Sequence, residues 1–452
     1  IFLKLSFIYS EKKETKRIFS HDKNLKLLPT IYDSVGNIIA YSDYNYSIFT
    51  IDEKFTYLKR DASSNDIKEI LYKSDPSIKF ERILTRKYPY DSIISNFIGR
   101  VDIDHKGMSL IEGKINPNSE NIYLSLNLQL QQKIYKSLKK DTLKLNPDFS
   151  FNVLVDLSKE QIISNVFIDN QSKLFDKSYM PLKDSAFEFG SVFKPFTVYS
   201  ALKNKKITLD EYFNVDESVF IGKKLVNDFP RSSQIPYQVK DILKKSSNRG
   251  AVLIGRTLDC QKELKKDLGL FGLLQSTNIG FELYSIDPIV NNFRGSYCDT
   301  IPYGYGLSVS PIQLINAYGI MITGREDFKA TINKKNFQKE NIFNSNSIIL
   351  NKLLFYANEL NNDLYNDFLV AGKTGTADKT IGENSFQNVA YISYFPYNDP
   401  KYLSLTFMQN PKDKYGPFMT AGNTVKPVFF NILDNIYMDL DLTILSKKGT
   451  DI

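Results

Sequence analysis

Strand-period sequence comes in two blocks separated by a long helical stretch, and that order restricts the fold more than any other feature of the chain. Phe151 to Ile168 reads as two apolar strands around Ser158-Lys159-Glu160, a hairpin signature. Residues 190–320 carry mostly helical periodicity. From Phe368 the period returns to two, and Phe368–Lys373, Val389–Phe395 and Tyr402–Met408 read as three successive strands. A last helix, Val428 to Met438, places Phe429, Ile432 and Ile436 on one face. Two strands, then helices, then three strands and a helix predict an α+β domain built on one antiparallel sheet flanked by helices.

Upstream the pattern is less regular. Residues 28–50 read as two strands joined by a turn at Asp33-Ser34-Val35-Gly36, and 51–120 as an irregular α+β region punctuated by Tyr88-Pro89 and Asn116-Pro117-Asn118. At Asn127, an N-cap residue type, Leu130, Ile134 and Leu138 begin to recur on one helical face. That helix ends before Asn146-Pro147, where a domain boundary is expected. The 452 residues suit two to four domains at roughly 100–200 residues each. With 42% hydrophobic and 24% charged residues the chain is neither disordered nor, with 2 Cys, a disulfide framework. No apolar run approaches the ~20 residues of a membrane-spanning helix. Ile1–Tyr9, apolar apart from Lys4 and Ser6, fits either the outer end of a truncated membrane helix or a core element.

The chemistry is limited by a shortage of imidazole. His21 and His105 are the only histidines, and with Cys260 and Cys298 they are scattered, which argues against a catalytic zinc site. Neither histidine lies in a motif suited to a Ser-His-Asp triad, so a nucleophile here needs another base, and lysine is the main candidate. The two cysteines could pair in an oxidising compartment; free, buried thiols are the expectation. The net charge of +7 is spread along the chain and interleaved with acids, as on a solvated basic surface, and no nucleic-acid partner is expected.

Three short motifs can carry chemistry. In Gly190-Ser191-Val192-Phe193-Lys194-Pro195, Ser191 and Lys194 lie one helical turn apart, and Pro195 places Ser191 near the helix start. The positive end of the helix dipole favours a developing oxyanion there, and a desolvated Lys194 could serve as the base. Ser-x-x-Lys also occurs at Ser10, Ser20, Ser137 and Ser200, so an ordinary helix with an exposed lysine is the bland alternative. Lys373-Thr374-Gly375-Thr376 enters the first late strand, where a glycine signals close approach by another backbone or a ligand. A Walker A loop would need glycine at position 367, which is Asp367. Ser246-Ser247-Asn248 lies between apolar-periodic stretches; it is preferred to Ser276-Thr277-Asn278, which sits in a connection beside Gly280.

Ser-x-x-Lys, Ser-x-Asn and Lys-Thr-Gly, in that order, resemble the three signatures of the serine penicillin-recognising enzymes. Gly304-Tyr305-Gly306-Leu307-Ser308-Val309-Ser310-Pro311-Ile312-Gln313-Leu314 is similar to a stretch of class B penicillin-binding proteins, in the form of the division-specific branch. Arg86-Lys87-Tyr88-Pro89 and Leu124-Ser125-Leu126-Asn127 with Leu130-Gln131 resemble that class's non-catalytic pedestal. The chain departs from the family with Leu28-Pro29 in place of an Arg-Gly pair, Ser34 in place of Arg, and Asn127 in place of Asp. These departures lie outside the catalytic set.

The resemblance implies a membrane-proximal segment at 1–27 with its membrane helix truncated, an irregular α+β pedestal domain at 28–146 and a transpeptidase domain at 147–452. It implies a D,D-transpeptidase cross-linking peptidoglycan stem peptides that end in D-Ala-D-Ala, without metal or organic cofactor. Ser191 would be the nucleophile, Lys194 its base, Ser246 a proton relay, and Asn248 a holder of the donor amide and the lysines. Lys373, Thr374, Gly375 and Thr376 would bind the terminal carboxylate, and the N–H groups of Ser191 and Thr376 would form the oxyanion hole. β-Lactams would be covalent inhibitors. Divisome membrane proteins, a glycosyltransferase among them, would be partners, and the catalytic domain would face the periplasm or cell exterior from a single N-terminal anchor. The competing functions are a DD-carboxypeptidase, a β-lactam sensor and an inactive division scaffold.

Overall fold

The computed structural model describes residues 26–51, 55–73, 75–170, 178–215, 218–228, 236–290, 292–336, 338–341, 345–358, 369–381, 384–412 and 419–442. By contact the chain divides into two compact units, Ile1–Ser92 with Ile98–Tyr123, and Ile93–Phe97 with Leu124–Ile452. The expected membrane-proximal segment falls almost wholly outside the described residues, among which no helix is long and apolar enough to cross a membrane.

The first unit holds strands β1 (Ile31–Tyr32), β2 (Ile38–Ile51), β3 (Phe55–Lys59), β4 (Ile78–Lys87) and β5 (Ile122–Tyr123), with helix α1 (Ser64–Lys73) between β3 and β4. They form one sheet in the order β3-β2-β1-β5, with β4 also paired to β2. The turn expected at Asp33–Gly36 joins β1 to β2. Asp33 Oδ1 accepts from the N–H groups of Val35 at 2.9 Å and Asn37 at 2.8 Å, an Asx turn that ties the loop to its own first residue. Arg86, from the Arg-Lys-Tyr-Pro stretch, forms a fully buried ion pair with Glu112 at 2.8 Å. Burial pulls His105 down to about 4, with the Arg86 charge acting in the same direction, so its ring is neutral where it meets Ser42 Oγ at 2.9 Å.

The second unit opens on helix α2 (Leu128–Leu145), capped by Asn127 Oδ1 accepting from Leu130 N–H at 3.1 Å and ended by Asn146 in the left-handed region. Then come β6 (Phe149–Asp156) and β7 (Gln161–Asp169), a helical region with α3 (Lys194–Lys203), α4 (Val239–Lys244), α5 (Asn248–Arg256) and α6 (Pro311–Thr323), and finally β8 (Ala371–Ile381), β9 (Asn384–Phe395), β10 (Tyr402–Gln409) and α7 (Val425–Ile436). The sheet order is β8-β9-β10-β6-β7, antiparallel throughout. Of the expected first late strand, Leu369 and Val370 do not belong to it, since β8 starts at Ala371, and Phe368 lies outside the described residues.

Each sheet face is buried by a different set. Leu130, Ile134 and Leu138 of α2 and Phe429, Ile432 and Ile436 of α7 cover Tyr391, Phe395 and Met408 on one face. The other face carries a ring stack in which Phe151 and Phe407, opposite each other in register, lie 4.7 Å apart with Phe187 against them and Phe189 at the end. Helix α2 counts by contact with the second unit, which runs from Leu124 on, upstream of the boundary expected at Asn146-Pro147. The expectation of free thiols is corrected: Cys260 and Cys298 are disulfide-bonded, with Cα atoms 5.7 Å apart. The bond closes a loop of 38 positions, a closure that linear spacing does not reveal.

Candidate active site

The site is assembled at the edge strand of the second unit. Gly190–Phe193 form a 3-10 turn that runs into α3, with Pro195 in the first helical turn, as the motif predicts. The turn is pressed onto β8. A Cβ at Gly190, whose φ is +56°, would lie 2.5 Å from Thr376 O, and one at Gly375 would lie 2.1 Å from Phe189 O. Only glycine permits this backbone approach at either position. The Tyr318 hydroxyl of α6 holds the turn from behind by donating to Val192 O at 2.8 Å. Further along β8, Asp378 N–H points to the Tyr305 hydroxyl at 3.4 Å. By strand alternation, Thr376 N–H is turned to the same outer edge, beside Ser191.

Two lysines meet a serine in this cleft. Lys194 is fully buried. Its Nζ donates to Ser246 O, to Ser246 Oγ at 3.2 Å and to Asn248 Oδ1 at 2.8 Å. Lys373 Nζ donates to the same Ser246 Oγ at 3.0 Å and to Thr374 O at 3.1 Å. Burial holds Lys194 well below the usual lysine range; the Lys373 charge adds to this and Asp228 opposes it. Burial likewise pulls Lys373 down to about 7, assisted by Lys426. A neutral Lys194 keeps two N–H donors, enough for Ser246 O and Asn248 Oδ1, and gains a lone pair for a hydroxyl. Ser191 is partly exposed, and its carbonyl accepts from Lys194 N–H. Among the described contacts its hydroxyl makes no hydrogen bond to either lysine. Such bonds are often long before substrate binds.

Ser246 takes φ +54° in the tight link between α4 and α5, a conformation costing a non-glycine residue roughly 1–2 kcal/mol. The link is held by a residue that the motifs do not include. Asp228 accepts from Ser247 Oγ at 2.5 Å, from Asn248 N–H at 2.5 Å and from Arg249 N–H at 3.1 Å. Asn227 O accepts from the Asn248 side chain at 2.9 Å. Asn227-Asp228 belongs to no recognisable pattern, and its contacts are made across the fold. Thr376 Oγ1 accepts from Ala421 N–H at 3.0 Å, which orients its half-buried hydroxyl.

The competing matches separate cleanly. Ser200 and Lys203 both turn to Asp267, at 2.6 Å each, and Ser137 lies within α2. Ser10 and Ser20 lie outside the described residues. Asn278 closes a local turn by accepting from Gly280 N–H at 2.8 Å. Lys194, Ser246, Asn248 and Lys373 share one hydrogen-bonded cluster, Ser191 lies one turn from Lys194, and Gly375 and Thr376 are packed against the turn that carries Ser191.

Residues 151–434 match the family model described as the penicillin binding protein transpeptidase domain, and the chain belongs to that family. It is similar to the peptidoglycan D,D-transpeptidase FtsI of Buchnera aphidicola subsp. Baizongia pistaciae, at 25% identity over 91% of this chain and 79% of the relative. It is also similar to the protein of that name from the subsp. Schizaphis graminum, at 26% over 86% and 76%. A peptidoglycan synthetase from Bifidobacterium adolescentis shares the fold, with a TM-score of 0.74 and 17% identity covering 94% of this chain and 97% of that one. Within the family the chain is a class B penicillin-binding protein of the division-specific branch.

Proposed function

We propose that the protein is a peptidoglycan D,D-transpeptidase of cell division that works through an acyl-enzyme on Ser191 and is acylated there by β-lactams. The observation that carries this reading is the buried Lys194 amine, held by desolvation well below the usual lysine range and bonded to Ser246 and Asn248 one turn from Ser191. Ser191 Oγ attacks the carbonyl carbon of the penultimate D-Ala while its proton passes to Lys194. The carbon–nitrogen bond to the terminal D-Ala then breaks, and Ser246 relays the proton to the departing amine. An amine of a neighbouring stem attacks the ester, the new amide forms, and the serine oxygen recovers a proton. Thr374 and Thr376 hydroxyls and the Lys373 amine, whose protonated form the incoming anion favours, hold the terminal carboxylate, and Asn248 positions the donor amide. The N–H groups of Ser191 and Thr376 stabilise the oxyanion; loss of one such donor typically costs ~10²–10³ in rate. The ester has to be kept from water for the amine to prevail.

An extracytoplasmic site agrees with the Cys260–Cys298 disulfide, because such bonds persist in oxidising compartments. An N-terminal membrane anchor, divisome membrane proteins and a glycosyltransferase complete the proposal, on the strength of the family branch.

The test is intact-mass measurement after treatment with a penicillin. The wild-type chain gains one penicillin adduct, and Ser191→Ala gains none while keeping its circular dichroism. An adduct on the folded variant would overturn the assignment of the nucleophile.

A further inference from the structure

We infer that Asp228 is a positioning residue for this chemistry, a carboxylate clamp that holds the Ser246-Ser247-Asn248 turn against the Lys194 amine. The inference rests on the transpeptidase reading of the cleft. One Asp228 oxygen takes the Asn248 and Arg249 N–H groups, at 2.5 and 3.1 Å, and the other takes the Ser247 hydroxyl at 2.5 Å. These N–H groups open helix α5, where a carboxylate offsets unpaired donors and the helix dipole. Ser247 is itself the N-cap, accepting from Gly250 N–H at 2.9 Å, so the clamp grips the cap as well as the first turn.

What the clamp fixes is the strained part of the site. Ser246 sits at φ +54° with its carbonyl and hydroxyl both on Lys194, and Asn248 presents Oδ1 to the same amine. Without an external hold, relaxation of Ser246 would move both groups at once. Asn248 is secured twice, through its N–H to Asp228 and its side chain to Asn227 O. The clamp also contributes charge. The groups facing Lys194 are Lys373 from β8 and Asp228 from the loop before α4, and Lys426 of α7 faces Lys373 in turn. Among them Asp228 is the anion, and it favours the protonated amine.

The experiment measures the acylation rate by a fluorescent penicillin as a function of pH, on the full chain, for wild type, Asp228→Asn and Ser247→Ala. The rate rises with pH as Lys194 loses its proton. Asp228→Asn keeps an acceptor for the two N–H groups but removes the charge. Its rising limb moves to lower pH, and its plateau falls about tenfold, the effect of weakening hydrogen bonds to a charged group. Ser247→Ala breaks the clamp's grip on the cap but leaves the charge, so its plateau falls while the limb stays in place. An Asp228→Asn limb that coincides with wild type, with or without a lower plateau, would leave the carboxylate a merely structural role and overturn the inference. A Ser247→Ala plateau equal to wild type would do the same, and this arm stands even if Asp228→Asn fails to fold. A wild-type chain that penicillin does not acylate at any pH overturns the parent reading, and the clamp with it.

Discussion

Lys194 can take a proton from Ser191 only while it is neutral, and full burial, which lowers its pKa well below the usual lysine range, favours that form. Arginine at the same position would keep a long basic side chain but not the chemistry, because a guanidinium is never deprotonated in proteins. Lys194→Arg is therefore expected to lose acylation by ~10²–10⁴, the range of a missing general base, as read by the time course of fluorescent-penicillin labelling. Labelling at the wild-type rate would exclude Lys194 as the base. Part of this set is legible in the sequence. Ser191 and Lys194 are one turn apart, so local geometry alone joins them, and Lys-Thr-Gly occurs once. Ser246 and Asn248 are picked out by their place between two apolar-periodic stretches and by the order of the three motifs. Asp228 and Lys426 carry no local signal, since each acts on a partner brought to it by tertiary folding. His105, one of two histidines, ends half-buried beside Arg86 and Ser42 in the first unit, apart from the catalytic motifs.

At the scale of elements, strand period and apolar runs foretell the sheet of the second unit. Strands β6 and β10 are buried nearly throughout, yet Ser150, Asn152, Ser404 and Thr406 keep an alternating pattern that reads as strand, and their hairpin and late-strand partners follow from adjacent turns. Pairing between β10 and β6 is not legible, because it joins segments from opposite ends of the unit. The same limit hides the disulfide. Cys260 opens a π-helical turn and Cys298 lies in the short helix Tyr297–Thr300, just before the Gly304-Tyr305-Gly306 segment. The loop it closes spans 38 positions, for which chain entropy gives a stabilisation of about 4 kcal/mol. A Cys260→Ser/Cys298→Ser double variant is expected to lose up to that amount in denaturant unfolding while still binding penicillin when folded. An unchanged midpoint would mean that the unfolded chain gains nothing from the release.

Over the whole molecule, the order of strand and helix blocks foretells the α+β class, whereas the contact division at Leu124 is hidden because α2 looks like an exit helix until α7 packs on it. The catalytic lysines tie this fold to pH. In the folded state Lys373 titrates at about 7, and Lys194 well below its usual value, against ~10.4 in the unfolded chain. Between those values the unfolded chain binds more protons, so stability rises with pH and is lost as pH falls toward 7. Buried Tyr318 and Tyr394 are held above the usual phenol range, and their contribution is lost only at higher pH, above roughly 10. The window from about 7 to 10 therefore belongs to the lysines. Lys373→Met removes one of them, so its melting temperature should lack part of the rise, and the difference between wild type and variant should grow in favour of wild type as pH increases through that window. A difference that stays constant with pH would show that Lys373 keeps an ordinary charge in the folded protein, and the desolvated cleft proposed for the acyl transfer would lose its electrostatic basis.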